Sequence, residues 1–166
     1  VMSYAEVCLL KAEAALRGWN GAGDAKANYL AGIKASFEAE RAMVSDASLY
    51  STANDNTYMT TGKVEWKGDA DFETHLEQII TQKWLALYPN GTEAWTEFRR
   101  TGYPKLTPVK VSMESTINAA NGEFVKKLRY VDDELRENPN ASDKSLNGGK
   151  GAAITMSERK MPAVAL

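Results

Sequence analysis

The 166-residue sequence is poor in cysteine, in histidine and in net charge, and each shortage excludes a class of protein or site. Cys8 is the only cysteine, so an internal disulfide is excluded, and its apolar neighbours predict a buried thiol. Twenty lysines and arginines stand against twenty-two acidic residues, which gives a net charge of −2. A chain without cationic excess has little to neutralise phosphates, so no nucleic-acid partner is expected. Its apolar runs are also far shorter than the roughly 20 residues that span a bilayer.

Signals for catalysis and metal binding are equally sparse. His75 is the only histidine, and no second histidine or nearby cysteine completes a zinc site of the usual composition. We interpret it as an ordinary helix residue, at the surface or half-buried. The glycine-rich segment Asn147–Gly151 lacks the serine or threonine and the preceding strand of a phosphate-binding loop, and no nucleophile elbow is present. The sequence therefore predicts no catalytic residue, no metal and no cofactor.

What the sequence does contain is helical periodicity, first in a hairpin that we place at residues 3–43. Ser3 and Glu6 form a capping box, in which each side chain accepts a hydrogen bond from the backbone N–H of the other residue. A narrow apolar stripe follows, of the kind that suits close packing between helices. A glycine-rich turn ends this first helix, and Asp24 is predicted to cap the second.

A second hairpin is predicted at residues 71–102. Asp69 or Asp71 can cap its first helix, and Pro89 makes the chain turn because proline cannot continue a helix. Thr92 is then predicted to cap the second helix of the hairpin. Both hairpins alternate small and aromatic residues in the manner of tetratricopeptide units, although an insertion separates them and no clean tandem repeat results.

Several side chains of these hairpins have a predicted structural role. Lys83 is expected to add only its methylene stem to the apolar face of its helix. Arg99 and Arg100 end the last helix, where they complement the helix dipole and where either can clamp a carboxylate through a bidentate pair. Packing in the core is expected of three tryptophans, Trp19, Trp84 and Trp95.

The insertion at residues 44–70 is rich in polar residues and carries scattered aromatic side chains. A short helix is predicted around Asp46–Thr52, followed by an ordered loop. Saccharides are recognised by flat aromatic faces together with amides and carboxylates, and the composition of the insertion fits that chemistry. We therefore predict ligand binding by Tyr50, Tyr58 and Trp66. The alternative is that these aromatic side chains are simply packed against the helices.

The remainder, residues 103–166, is rich in loops. Extended segments are expected near Pro108 and at Phe124–Tyr130, a short helix is expected at Val131–Glu137, and the tail from residue 152 has no clear pattern. The predicted fold class is all-α, with tetratricopeptide-like helical hairpins, long irregular loops and little or no β-structure.

The residues of the second hairpin also carry a family resemblance. The segment Gln82–Leu106, QKWLALYPNGTEAWTEFRRTGYPKL, resembles the SusD/RagB family of Bacteroidetes surface lipoproteins. Leu10–Trp19, LKAEAALRGW, is similar to a tetratricopeptide helix of that family, and the segment around Asn138–Ala141 is similar to its terminal region. The resemblance covers residues 3–151. It departs from the family pattern at Val131, where proline is common, and in a tail that lacks tryptophan.

The resemblance implies a non-enzymatic protein on the outer surface of the outer membrane. Members of this family carry an N-terminal lipid, cap a TonB-dependent (SusC-like) transporter, and help to capture glycans such as starch or other nutrients. It also implies that this chain is the C-terminal portion of a longer protein, with the lipid and much of the ligand-contacting region upstream of residue 1. Two alternatives stay open: a helical-repeat module that binds a peptide or protein in its groove, and a glycan hydrolase.

Overall fold

The computed structural model describes residues 2–46, 49, 51–108, 111, 113, 124, 131–138 and 140. These residues form six α-helices and no β-strand, which confirms the predicted all-α class. The helices are α1 (Tyr4–Leu16), α2 (Ala25–Ala42), α3 (Ala53–Met59), α4 (Phe72–Ala86), α5 (Gly91–Thr101) and α6 (Asp132–Glu137). The chain divides into two compact units, Val1–Pro104 and Lys105–Leu166, so that α1 to α5 belong to the first and α6 to the second.

Three of the helices in the first unit begin at the caps that the sequence predicts. Ser3, Asp24 and Asp71 each accept a hydrogen bond from the backbone N–H three residues later, at 3.1, 2.7 and 2.8 Å. Of the two aspartates considered for α4, the cap is therefore Asp71. Gly102 ends α5 in the left-handed conformation, with φ of 79°, which glycine adopts without steric cost.

One local prediction is wrong. Asn90, rather than Thr92, caps α5, because the Asn90 side chain accepts from the N–H of Glu93 at 3.3 Å and the helix begins at Gly91, two residues earlier than a Thr92 cap implies. The α-helix of the insertion is α3, which begins directly after the predicted Asp46–Thr52. The predicted segment lies only partly among the described residues, where Leu49 is in a 3₁₀ turn and its N–H donates to the carbonyl of Asp46 at 3.2 Å. An ion pair between Arg41 and Asp55 ties α3 to the end of α2, and a contact across that distance leaves no local signal in the sequence.

The core of the first unit forms where α1 packs chiefly on α2 and also on α4. Its centre consists of Leu9, Ala12, Tyr29, Ile33 and Ile79. The two hairpin helices approach closely at Gly32, where an added Cβ would lie only 2.5 Å from Cγ of Leu9. Glycine is therefore required at this contact, because any larger side chain would push α1 and α2 apart.

The cysteine and the three tryptophans that were expected in the core differ in their burial. Cys8 is buried, as predicted for the thiol. Trp19 is 65% exposed, so the prediction that it packs in the core is wrong. Gly18, with φ of 73°, turns the chain directly after the helix and carries Trp19 outward. Trp84 and Trp95 are half-buried on α4 and α5.

In the second unit the predicted short helix is present as α6, which ends one residue before Asn138. Its described side chains are solvent-exposed, and Arg136 pairs with Asp133 at 2.9 Å and with Glu137 at 3.0 Å. The predicted tail from residue 152 lies outside the described residues, as does most of the predicted extended segment Phe124–Tyr130.

Candidate functional site

A groove with a volume of about 260 Å³ opens between α2, α3 and α4. Its lining residues are Ile33, Ser36, Phe37, Glu40, Tyr58, Gln82, Leu85 and Tyr88. The four from α2 are spaced three, four and seven residues apart, so they share one face of that helix. Helix α4 contributes two residues at a spacing of three, and Tyr88 follows directly after its C-terminal cap. The helical periodicity of the two hairpins thus builds two of the groove walls.

The floor of the groove is held by a contact between the insertion and α4. The hydroxyl of Tyr58 donates a hydrogen bond to Oε1 of Gln82 at 3.1 Å. The Tyr58 ring also meets Phe37 edge to face, with ring centroids 5.3 Å apart and an interplanar angle of 70°. Because Oε1 of Gln82 is the acceptor in this bond, its amide hydrogens remain for other partners.

The rim of the groove is exposed and carries little charge. Tyr88 is 79% exposed, and Leu85 and Glu40 beside it are also exposed. None of the described lining residues is a lysine or an arginine. Arg41, next in sequence to Glu40, is occupied with Asp55 and with the ring of Phe37, whose centroid lies 5.7 Å from its guanidinium carbon. The groove therefore combines aromatic surface, neutral polar groups and one carboxylate.

The three predicted ligand residues do not come together. Tyr58 lies in the groove, Tyr50 lies outside the described residues, and Trp66 is absent from the groove lining. Trp66 stacks on His75, with centroids 4.2 Å apart and planes inclined by 7°, and it packs obliquely on Tyr29. Tyr58 and Trp66 both pack against the core of the helices, and ligand binding by either of them stays a prediction.

The loop that carries Trp66 is fastened to α2 and α4 by buried polar side chains. Nε2 of His75 lies 2.6 Å from the carbonyl oxygen of Lys67, and since a carbonyl only accepts, this nitrogen carries the hydrogen. Gln78 donates to two further carbonyls of the same loop. The hydroxyl of Tyr29 donates to the carbonyl of Val64 at 2.7 Å, and burial raises the pKa of this tyrosine above its usual range. His75 is thus more buried than predicted.

A second polar cluster joins α1, α4 and α5 through charged side chains. Nζ of Lys83 lies 3.0 Å from a carboxylate oxygen of Glu97, and Arg100 bonds both Glu97 and Glu13. Arg17 pairs with the same Glu13 at 2.9 Å. The prediction that Lys83 contributes only its stem is wrong, because the side chain is 2% exposed and its ammonium meets a buried carboxylate.

The predicted bidentate clamp is present at one of the two arginines. Nη1 and Nη2 of Arg100 bond the two carboxylate oxygens of Glu13 at 2.7 and 2.6 Å. Burial acts to raise the pKa of Glu13, but the hydrogen bonds from the arginines outweigh it and hold that pKa below its usual value. Arg99 instead lies over the ring of Trp95, 4.4 Å from its centroid. Apart from Arg99, the charged groups of the cluster are paired with one another, which marks it as structural.

Metal binding and membrane insertion find no support in the described part of the chain. No group of three or more histidine, cysteine, aspartate or glutamate side chains is gathered there for a metal. No helix among the same residues is long and apolar enough to cross a membrane.

Comparison with known proteins gives a consistent result for most of the chain. A family model described as "SusD-like: Susd and RagB outer membrane lipoprotein" matches residues 1–156. A search of curated proteins finds no match.

Several solved structures are similar in sequence and in fold. A SusD homologue from Bacteroides thetaiotaomicron is 38% identical, with a TM-score of 0.66, over 82% of this chain and 31% of its own. One from Bacteroides ovatus is 39% identical, with a TM-score of 0.63, over 87% and 32%. A SusD homologue from Flavobacterium johnsoniae, described as chitin-binding, is 35% identical, with a TM-score of 0.61, over 96% and 34%. The chain thus spans about a third of the length of these relatives.

Proposed function

The chain belongs to the SusD-like family of outer-membrane lipoproteins, and from this membership we propose that it is part of a non-catalytic surface protein that binds nutrients for a TonB-dependent transporter. The observation that carries the proposal is the family match over residues 1–156, supported by relatives at 35 to 39% identity. In this proposal the chain is the C-terminal portion of a longer protein, which an N-terminal lipid holds on the outer face of the outer membrane.

The nutrient in this proposal is a glycan. One relative is described as chitin-binding, and the groove beside α2 presents aromatic rings together with neutral polar groups. Saccharide rings have an apolar face that packs on aromatic side chains and hydroxyl groups that bond amides and carboxylates. The groove therefore offers the right chemistry, and the absence of cationic excess in the chain argues against a polyanionic ligand.

The state of the titratable groups supports a binding role over catalysis. His75, the single histidine, has its Nε2 directed at the carbonyl of Lys67 and one ring face covered by Trp66. A general acid or base must reach the substrate proton, and this ring is committed to the structure. The buried carboxylates Glu13 and Glu97 are likewise held by arginine and lysine partners. Their ion pairs hold both side chains in a fixed position, which suits a scaffold.

The partner in this proposal is a SusC-like transporter of the outer membrane. The test is affinity purification of the tagged full-length protein from outer membranes solubilised in mild detergent. We expect a TonB-dependent β-barrel to co-purify in near-stoichiometric amount, and to be lost when the lipid-bearing cysteine upstream of this chain is replaced. Recovery of a soluble protein in its place would favour a helical-repeat adaptor and contradict the proposal.

A further inference from the structure

The groove between α2, α3 and α4 has chemistry that singles out one class of ligand. We propose that it is a saccharide subsite, in which Tyr88 supplies the stacking face while Gln82 and Glu40 supply polar contacts. This inference rests on the proposed glycan-binding role and adds the place on this chain where a sugar residue is held.

Tyr88 is positioned for stacking by the end of α4. The preceding cap residue, Leu87, is buried and anchors the backbone, and the N–H of Tyr88 donates to the carbonyl of Leu85 at 3.2 Å. The chain then turns at Pro89, which fixes the backbone on the other side. The ring itself is 79% exposed and lies at the mouth of the groove. Because the backbone is already fixed, only the two side-chain torsions of the tyrosine lose freedom when a ligand packs on the ring.

A single exposed aromatic side chain would not by itself indicate a site, since such residues are common on protein surfaces. Here polar groups converge on the same groove. Glu40 has no ion-pair partner among the described residues, and the hydroxyl of Ser36 lies one helical turn from it. The bond from Tyr58 fixes the side-chain amide of Gln82 and leaves its two N–H donors for another acceptor. The groove thus offers both donors and acceptors next to an aromatic face.

The same features disfavour other classes of ligand. An anionic ligand would meet Glu40 and would find no lysine or arginine among the described lining residues. A helical peptide needs a continuous apolar groove with anchors over two or more turns, whereas this floor is polar at Gln82. The volume of about 260 Å³ is slightly below the roughly 300 Å³ at which sites for small molecules begin. An open site of this size suits one residue of a longer neutral saccharide.

The test is calorimetric titration of the full-length protein with four neutral hexasaccharides, built from N-acetylglucosamine, glucose, xylose or mannose. Tyr88→Ala is compared with Tyr4→Ala, a change of the same type at another strongly exposed tyrosine, outside the groove. For the hexasaccharide that the wild-type chain binds best, we expect Tyr88→Ala to weaken binding by about tenfold. Tyr4→Ala should leave the dissociation constant within about twofold. Thermal unfolding of both variants should match that of the wild type, because neither ring is buried.

The outcomes separate this inference from the function on which it rests. If the wild type binds a hexasaccharide and Tyr88→Ala binds it equally well, the subsite is wrong while the proposed function stands. If the full-length wild type binds none of the four, the proposed glycan ligand and the subsite both fail, and co-purification of the transporter tests the rest of the proposed function. If both tyrosine variants lose binding equally, the effect is unrelated to the groove and the subsite is again contradicted.

A second variant tests whether the negative charge of Glu40 faces the bound saccharide. Glu40→Gln keeps the shape of the side chain and one acceptor oxygen, replaces the other oxygen by an N–H donor group, and removes the negative charge. We expect the wild type to bind a hexasaccharide of galacturonic acid more weakly than its best neutral ligand, because the ligand's carboxylates repel that of Glu40. In Glu40→Gln the ratio of the two dissociation constants should be smaller. An unchanged ratio of the two dissociation constants would show that Glu40 does not face the bound sugar.

Discussion

Arg100 at the end of α5 bonds both carboxylate oxygens of Glu13 on α1, at 2.7 and 2.6 Å, across 87 positions of the sequence. The same guanidinium bonds Glu97, which in turn pairs with Lys83 of α4. The two helical hairpins are therefore joined by buried charges as well as by their apolar core. The junction ties α1 and α5 to α4, the helix that forms one wall of the groove.

Removal of the arginine is expected to destabilise the fold. Arg100→Ala would leave Glu13 and Glu97 with one cationic partner each, Arg17 and Lys83. We expect the free energy of unfolding to fall by about 2 kcal/mol. This loss is smaller than that for breaking a fully buried ion pair, because the arginine side chain is partly exposed. Urea denaturation measures the change.

The matched control is Arg136→Ala, because that arginine also has two acidic neighbours but is solvent-exposed. Exposed ion pairs contribute little, so this variant should lie within about 0.5 kcal/mol of the wild type. Equal losses in the free energy of unfolding for the two variants would show that the buried ion pairs contribute no more to stability than the exposed ones.

Acidification should weaken the same junction. Burial acts to raise the pKa of Glu13, but hydrogen bonds from Arg100 and Arg17 outweigh it, so the folded-state pKa lies below the unfolded value of about 4.3. A carboxyl group of this kind contributes stability that is fully present above the unfolded pKa and is lost as the pH falls through the folded pKa. We expect the free energy of unfolding to decline below about pH 4.3, and to decline less steeply in Glu13→Gln. Identical pH profiles for the two proteins would contradict this role.

The close approach of α1 and α2 makes Gly32 sensitive to substitution. In Gly32→Ala the new Cβ would lie 2.5 Å from Cγ of Leu9 and 3.3 Å from the carbonyl oxygen of Ala5. We expect a net loss of about 1–2 kcal/mol in differential scanning calorimetry, because the overlap outweighs the better helix propensity of alanine. Gly91→Ala is the control, since nothing lies within 4 Å of its added Cβ. That variant should be neutral or slightly more stable.

Truncation of Trp66 separates a packing role from a binding role. Trp66→Ala removes the ring that stacks on His75 and packs on Tyr29, so we expect a loss of about 2–3 kcal/mol in the free energy of unfolding. Tyr88→Ala, at an exposed ring, should change stability by less than about 0.5 kcal/mol. Equal melting temperatures for the wild type and Trp66→Ala would show that the stack contributes nothing to stability.

Features that depend on a few neighbouring residues could be predicted from the sequence. The caps at Ser3 and Asp24 and the glycine end of α5 at Gly102 follow from rules that act over one helical turn. The all-α class follows from apolar periodicity over longer windows. The cap of α5 was misplaced at Thr92 because Asn90 is an equally good capping residue two positions earlier.

Features that depend on distant partners could not be predicted. A lysine such as Lys83 is ordinarily found on the surface of a helix. Its burial depends on the ion pair with Glu97, which lies fourteen positions away in the sequence. Glu97 itself has no local sign of burial. The position of α3 likewise depends on the pairing of Asp55 with Arg41, and the exposure of Trp19 depends on the left-handed turn at Gly18.

The candidate site was only partly accessible to sequence reasoning. Tyr58 was predicted from the composition of the insertion, and it lines the groove. Three further lining residues were not predicted as ligand candidates: Tyr88, Glu40 and Gln82. They lie in or next to helices, where a side chain most often has a structural role. The signal that could have found them is spacing: Glu40 lies on the groove-facing side of α2, and Gln82 lies about one turn before the end of α4 at Ala86.

The most direct test of the central claim, a protein that binds a glycan without cleaving it, combines two readouts in one sample. The full-length protein is incubated with insoluble chitin and, separately, with starch, and the bound protein and the newly formed reducing ends are both measured. We expect saturable retention on at least one polysaccharide and no increase in reducing ends. Reducing ends that rise with protein concentration, or no retention on either polysaccharide, would contradict it.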